Sequence, residues 1–249
     1  MTPVSGRHYA NAPITEALID IQAQLPPASD LGKLARIQQA ISQDYPGKQR
    51  QELHQFQVQV FPGQPEGAKT EDTILGFRLS SSDGKQIVQV RRNGFSFSRL
   101  TPYENWGLMR DEARRLWSLY SEAVRPTKIT RVAVRYINQI NIPLPMNDFA
   151  DYVLLSPQVP PGMSQDLSNY FMRLEQPQPD IGAHLVLITA MLQPTDPSVC
   201  SVALDIDVFG QSLEITDDKE AWELLESLRQ RKDQIFEACI TDQTRRIIS

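Results

Sequence analysis

Hydrophobic and polar residues alternate most regularly near the middle of the chain, in the segment ITRVAVRYINQINI from Ile129 to Ile142. The side chains of a β-strand point alternately to the two faces of its sheet. One face of this strand would carry the apolar positions Val132, Val134, Tyr136, Ile140 and Ile142. The opposite face would carry Arg131, Ala133, Arg135, Gln139 and Asn141. The pattern predicts a half-buried strand that is bounded by Pro126 and Pro143.

Shorter segments, most of them alternating and one of them, 184–192, strongly apolar, predict further strands on both sides of this one. They cover residues 14–25, 54–61, 73–80, 86–92, 95–100, 167–175, 184–192 and 199–209. Apolar residues at steps of three and four predict helices over about 30–44, 103–124 and 217–241, and a short helix over 147–155. Ser29 or Asp30 would cap the first helix. The polar segments 62–72 and 156–165 are rich in proline and glycine, which is typical of loops.

The predicted elements follow the same order in both halves of the chain: strand, helix, antiparallel strands, long helix. The first strands begin near residues 14 and 129, so the halves are offset by about 115 residues. We therefore predict an α+β fold of two similar units, 1–126 and 127–249, in which each long helix packs on its own curved antiparallel sheet. Two alternatives stay open: the similarity of order is a coincidence, or the chain forms one continuous domain.

Charge is distributed unequally along the chain, whose net charge is -5. Residues 1–143 carry a balance of +5 and residues 144–249 a balance of -10. Either the first half attracts anionic ligands, or the two halves attract each other or a symmetric partner.

The cysteine content and the N-terminal sequence indicate a cellular compartment. Cys200 and Cys239 are the only cysteines, which is too few for a disulfide framework. The first residues lack the basic and then apolar pattern of a secretion signal, so we expect a cytoplasmic protein. No apolar run approaches the length of a membrane span, so no membrane partner is expected.

Asp205 and Asp207 form an acidic pair whose spacing suits a metal-binding or acid–base site. Asp205 and Asp207 alternate with apolar residues, so both carboxylates should lie on the same face of one strand, about 7 Å apart. Such a pair suits metal binding or acid–base work. The alternative is structural, because both carboxylates could pair with Arg131 and Arg135 if the two strands are neighbours. The three histidines have no partner at the spacing of metal ligands, and no cofactor is predicted.

Arginines recur on the predicted strands of the basic half and form a second candidate site. The candidate ligand-binding residues are Arg78, Arg91, Arg99, Arg131 and Arg135. An arginine-bearing sheet face can hold phosphates or nucleic acid, particularly where aromatic side chains stack on bases. The aromatic residues Phe95, Phe97 and Tyr136 alternate with the polar ones, however, and should face the core instead.

Three segments carry a family resemblance: Tyr9 to Ala17 (YANAPITEA), Thr130 to Ile140 (TRVAVRYINQI) and Ile235 to Asp242 (IFEACITD). In order and spacing they resemble a sporadically distributed family of uncharacterised prokaryotic proteins. The resemblance covers nearly the whole chain and implies a prokaryotic cytosolic protein. That family carries no established activity, so no catalytic residue is implied.

Three hypotheses for function follow from the sequence. The first is a non-enzymatic binding or assembly protein, which would form a homodimer. The second is a protein that binds nucleic acid or a phosphate ligand through the arginine-bearing sheet face. The third is a metal-dependent hydrolase that uses Asp205 and Asp207.

Overall fold

The computed structural model describes residues 7, 9–26, 31–59, 67–194 and 196–249, with 52–59 and 67–74 described as backbone only. The strands are β1 (Ile14–Gln24), β2 (Gly47–Gln59), β3 (Gly67–Ser80), β4 (Gln86–Arg91), β5 (Gly94–Leu100), β6 (Lys128–Pro143), β7 (Phe171–Gln178), β8 (Ala183–Leu192) and β9 (Val199–Ile215). The α-helices are α1 (Leu31–Ala40), α2 (Trp106–Val124), α3 (Asp218–Cys239) and α4 (Asp242–Ile248). Two 3-10 turns lie at Phe149–Asp151 and Pro179–Ile181.

The described strands form one antiparallel sheet in the order β2-β3-β4-β5-β1-β6-β9-β8-β7. β1 and β6 pair at its centre, where Ile19 lies opposite Val134 and Ile21 lies opposite Val132. The boundary expected between residues 126 and 127 falls in the connection from α2 to β6. The sheet nevertheless continues across that boundary, because β1 belongs to the first half and β6 to the second.

The three longer helices pack on the same face of this sheet, as the apolar alternation of β6 predicts. Trp117 of α2 contacts Phe95 edge to face, with ring centroids 6.0 Å apart. α3 packs on β6 and β9, and α1 packs on β3, β4 and α2. The buried apolar residues of these helices and of the covered sheet face form one continuous core. The α+β class is therefore confirmed.

Helix boundaries follow from capping residues. Asn105 precedes α2, and its side-chain oxygen accepts a hydrogen bond from the Leu108 N–H at 2.9 Å. Asp217 caps α3 in the same way through the N–H of Lys219. The predicted cap of α1 at Ser29 or Asp30 lies outside the described residues.

The sequence patterns placed the polar strands and one short helix incorrectly. Of the helix expected over 147–155, only the 3-10 turn Phe149–Asp151 is present. β2 begins at Gly47, well before His54, because the stretch GKQRQEL has too few apolar residues to show a period. β3 begins at Gly67, so part of the segment 62–72 is strand rather than loop. β7 runs through Pro177 to Gln178, beyond the end expected at residue 175. Proline is tolerated there because β7 is the last strand of the sheet.

Two further properties bear on the cellular setting. Cys200 and Cys239 are both free and buried. No helix among the described residues combines the length and the apolar character that crossing a bilayer requires.

Candidate functional site

Six charged side chains meet on the sheet face opposite the three longer helices. We call this group the arginine–aspartate cluster: Asp20, Arg91, Arg131, Arg135, Asp205 and Asp207. It spans β1, β4, β6 and β9, and the small side chain of Ser96 on β5 leaves room for Arg91 to reach Asp20. The cluster exists because β1, β6 and β9 are neighbours in the sheet.

Every arginine of the cluster is bonded to a carboxylate. Asp20 accepts hydrogen bonds from Arg91 and, at 2.9 Å, from Nη1 of Arg131. Nη2 of Arg131 also donates to Asp207 at 3.2 Å. Arg135 holds Asp205 through two hydrogen bonds of 2.9 and 2.5 Å, the bidentate geometry of a strong pair. Asp205 and Asp207 on β9 thus pair with Arg131 and Arg135 on β6, as the structural alternative drawn from the sequence predicts.

The cluster is electrically balanced, since three guanidinium groups meet three carboxylates. Burial raises the pKa of Asp207, and the Arg131 charge opposes that shift. Oδ1 of Asp207 is buried and has no hydrogen-bond partner among the described residues. The Arg131 guanidinium also lies over the Phe209 ring, 4.5 Å from its centroid. An anionic ligand would have to compete with these internal partners, so the cluster gives little support to a phosphate site.

The remaining predicted arginines do not join this cluster. Arg78 shares its face but lies on β3, where it donates a hydrogen bond of 3.4 Å to Gln49. Arg99 points to the opposite face, because it lies across from the buried Ala17, and it pairs with Glu104 at 2.6 Å. The predicted arginine-bearing face therefore lacks Arg99.

The acidic pair has the geometry of an ion-pair network. Asp205 and Asp207 bond to arginines through three of their four carboxylate oxygens, and only Oδ1 of Asp207 has no partner among the described residues. Within the described residues, no group of three or more His, Cys, Asp or Glu side chains could hold a metal ion. The metal-dependent hydrolase stays a prediction without support from this geometry.

A cavity of about 190 Å³ lies on the helix-covered side, between the start of α2, β6 and α3. Five of its residues come from α3 at steps of three and four and so share one helix face: Arg229, Lys232, Asp233, Phe236 and Glu237. β6 contributes Tyr136 and Asn138, and the approach to α2 contributes Tyr103 and Trp106. The N-terminal segment closes the cavity with Arg7, Tyr9 and residues 12–14.

Lys232 is the most unusual group in this cavity. Only 8% of the residue is exposed. Its ammonium lies 3.8 Å from the centroid of the Tyr136 ring and donates a hydrogen bond to Asp233. Burial lowers the pKa of Lys232, and the Asp233 charge opposes that shift. An ammonium has three donors, so the one acceptor described leaves two donors for water or a ligand.

Neutral hydrogen-bonding groups surround this ammonium. The hydroxyls of Tyr103 and Tyr136 lie 2.8 Å apart and share one hydrogen bond. Burial raises the pKa of Tyr103 to about 12 and that of Tyr136 well above its usual value, so both hydroxyls keep their protons at neutral pH. Asn138 is 2% exposed, and its amide donates to the Leu204 carbonyl at 2.9 Å. These groups offer fixed dipoles rather than groups that change charge.

Three cations and three carboxylates line the cavity, but they are paired unevenly: Arg7, Arg229 and Lys232 against Glu104, Asp233 and Glu237. Of its carboxylates, Glu104 and Glu237 are paired with Arg99 and Arg245, which lie outside the lining. Asp233 is shared by Arg229, at 3.2 Å, and by Lys232. Two cations therefore meet one carboxylate at the α3 wall. Arg229 lies 3.9 Å from Glu226, which exceeds a hydrogen-bond distance.

The sequence contains two signals for this cavity that the alternation of apolar and polar residues does not reveal by itself. Lys232 interrupts the apolar stripe of α3 between Leu228 and Ile235, at a position where a core residue is expected. Asn138 interrupts the apolar face of β6 between Tyr136 and Ile140. A polar residue at a core position must find a partner inside the protein. Each signal concerns one residue, and only the folded chain shows that both point into the same cavity.

Comparison with known proteins adds no relative. No protein-family model matches the chain, and neither a curated protein nor a solved structure is significantly similar to it. Function therefore has to be inferred from the two polar groups of side chains.

Proposed function

We propose that this is a non-enzymatic binding protein that holds a small organic anion, with one carboxylate and an apolar body, in the cavity between α2, β6 and α3. The observation that carries the proposal is Lys232, a buried ammonium that lines the cavity and has hydrogen-bond donors left over. On the sequence resemblance alone, we further propose that the protein works in the cytosol of a prokaryote.

The charge of the ligand follows from the pairing of the cavity residues. Because Asp233 is shared by Arg229 and Lys232, and Arg229 reaches Glu226 only at 3.9 Å, the positive charge of Lys232 is incompletely compensated. A buried charge is costly unless it is paired and hydrogen-bonded. A single carboxylate would complete the pair. The one O–H that the Tyr103–Tyr136 pair leaves over, whose other acceptor is the Met109 sulfur at 3.9 Å, would donate to its second oxygen.

The size and body of the ligand follow from the remaining walls. A cavity of about 190 Å³ is smaller than the pockets of about 300–1,000 Å³ that hold drug-sized molecules. The rings of Tyr9, Trp106 and Phe236 line it. An aromatic or short aliphatic acid fits both features, because aromatic walls bury apolar surface at little cost in side-chain entropy.

Binding rather than catalysis is favoured because the two tyrosine hydroxyls of the cavity have raised pKa values and do not change charge at neutral pH. The tyrosine hydroxyls keep their protons, and the Lys232 ammonium is held by Asp233. A general acid or base works best when its pKa lies near the ambient pH.

The test is a titration of the purified protein with benzoate, phenylacetate and butyrate, each paired with its neutral amide, and followed by calorimetry. We expect the acids to bind and the amides to bind at least about tenfold more weakly, since a hydrogen bond to a charged group contributes about 1.5–3 kcal/mol. Lys232→Met should weaken acid binding by a similar factor while preserving side-chain volume and the Arg229–Asp233 pair.

Lys219→Met is the matched control, because Lys219 lies on the same helix with a side chain that is 78% exposed. Its affinity for the acids should equal that of the wild type. The proposal is wrong if acids and amides bind equally, if none of the acids binds, or if Lys232→Met leaves the affinity unchanged.

We also infer that the two halves derive from one duplicated unit, as the order of elements suggests. Support comes from the strand order, since the first strand of each half pairs with the last: β1 with β5, and β6 with β9. The other strands then follow in descending order on both sides, and a long helix follows β5 and β9 alike. The antiparallel pair β1–β6 would hold the approximate two-fold axis.

A further inference from the structure

β7 forms one end of the sheet and pairs with β8 alone among the described strands. A strand in that position presents unpaired backbone N–H and C=O groups, which can pair with another chain. Most of its side chains are exposed, and Phe171 is 69% exposed. This edge is a candidate interaction surface that is separate from the cavity.

The hydrogen bonds to β8 show which residues of β7 direct their backbone groups outward. The Met191 N–H donates to the Tyr170 carbonyl at 3.1 Å, so Tyr170 turns toward β8. Hydrogen-bonded positions alternate along an antiparallel strand. Phe171, Arg173, Glu175 and Pro177 therefore turn their backbone groups away from β8. Pro177 lies at one of these outward positions. An edge strand tolerates proline there, because the missing N–H removes no hydrogen bond to β8.

The sequence of β7 is complementary to itself when two copies run antiparallel about Leu174. Arg173 then lies opposite Glu175 of the second copy, and Phe171 lies opposite Pro177. All four side chains are on the same face of the sheet, because their positions differ by even numbers. The outward N–H groups of Phe171, Arg173 and Glu175 each meet a carbonyl of the second copy. Opposite charges across a strand pair stabilise it, whereas like charges destabilise it.

We propose that the protein forms a two-fold homodimer in which β7 pairs antiparallel with β7 of a second copy, centred on Leu174. The two sheets then continue into each other. Arg173 and Glu175, which pair within the exposed strand of one copy, exchange partners across the interface. The contact is short, since eight residues of strand extend about 26 Å, and we expect a reversible dimer rather than an obligate one.

Charge reversal tests the pairing. Sedimentation velocity over a concentration series should show a monomer–dimer equilibrium for the wild type. Residue 173 of each copy lies opposite residue 175 of the other, so either R173E or E175R creates two pairs of like charges in the dimer. Each single variant should therefore weaken dimerisation at least about tenfold. The double variant R173E/E175R restores opposite charges and should recover the wild-type dissociation constant. K219E, on the exposed start of α3, should leave dimerisation unchanged.

A single cysteine tests the register. In the proposed pairing, Leu174 lies opposite Leu174 of the second copy at a non-hydrogen-bonded position, with Cα atoms about 4.5 Å apart, which a disulfide can bridge. L174C should therefore crosslink under mild oxidation. M172C should not, because two strand residues separate it from the axis on each side. Circular dichroism spectra identical to the wild type would show that the variants fold.

The proposal is overturned if the wild type stays monomeric at about 100 μM, a concentration at which a contact of this kind should form. It is also overturned if the single reversals leave a dimer intact, or if M172C crosslinks as readily as L174C. None of these results depends on whether the cavity binds an acid.

Discussion

Individual charged side chains in this protein differ sharply in how well they are compensated. Asp20 bonds to two arginines, whereas Asp207 bonds to one arginine and leaves Oδ1 unpaired. Removing one partner of a buried pair costs more than the pair contributes, because the other charge stays buried. The two aspartates should therefore respond differently to the same substitution.

Asp20→Asn should lower the free energy of unfolding by about 3 kcal/mol, since Arg91 loses its carboxylate. Asp207→Asn should cost less than about 1 kcal/mol. Burial already disfavours the charged form of the carboxylate that this substitution removes. Arg131 also retains its hydrogen bond to Asp20. Urea denaturation at neutral pH measures both values. Equal costs would show that the cluster does not depend on Asp20 in this way.

At the scale of single elements, two glycines with positive φ differ in whether the structure leaves room for a side chain. Gly94 starts β5 at φ +152, and a Cβ there would lie 2.3 Å from the Ile21 carbonyl oxygen. Gly84, in the turn before β4, also has a positive φ of +71, but a Cβ there would meet nothing within 4 Å. The first glycine is needed for the contact between β5 and β1, and the second only for its turn.

Gly94→Ala should lower the free energy of unfolding by more than about 2 kcal/mol, because backbone must move to relieve the contact. Gly84→Ala, the matched control, should cost about 1 kcal/mol for the left-handed conformation alone. Thermal melts of both variants give the comparison. A smaller loss at Gly94 than at Gly84 would contradict the close approach of β5 and β1.

Strands with a clear pattern of apolar residues could be predicted from the sequence. The remaining strands and the cavity could not, for physical reasons that differ between them. β6 alternates apolar and polar residues because one of its faces is buried, whereas β8 is almost continuously apolar, and both agree closely with the predicted segments. β2 and β7 are polar on both faces over much of their length, so no period marks their ends. The cavity was not predictable because Asn138 and Lys232 are far apart in sequence and meet only through tertiary packing.

For the whole molecule, the central pair β1–β6 decides whether the two halves are independent. This pair buries Ile19 and Ile21 against Val132 and Val134 in the middle of the sheet. If the chain were divided between residues 126 and 127 and the two halves were separated, β1 and β6 would become exposed apolar edge strands. Such edges associate readily with other strands. The predicted units 1–126 and 127–249 are thus joined by the most buried part of the sheet.

Each half expressed alone should fail to give a cooperative thermal transition, whereas the two halves expressed together should associate and recover one. Affinity purification of a tagged half from the co-expression, followed by calorimetry, measures this. A monomeric half with its own cooperative transition would show instead that the boundary separates autonomous domains.

The arginine–aspartate cluster also has a consequence for how the sheet finds its correct alignment. A shift of β1 against β6 by one residue would turn Ile19 and Ile21 toward the charged face and Asp20 toward the helix-covered core. The same shift would separate the Asp20 carboxylate from its partners Arg91 and Arg131 and bury it without them. The charged face therefore adds a second penalty for misalignment to the one that hydrophobic burial already imposes.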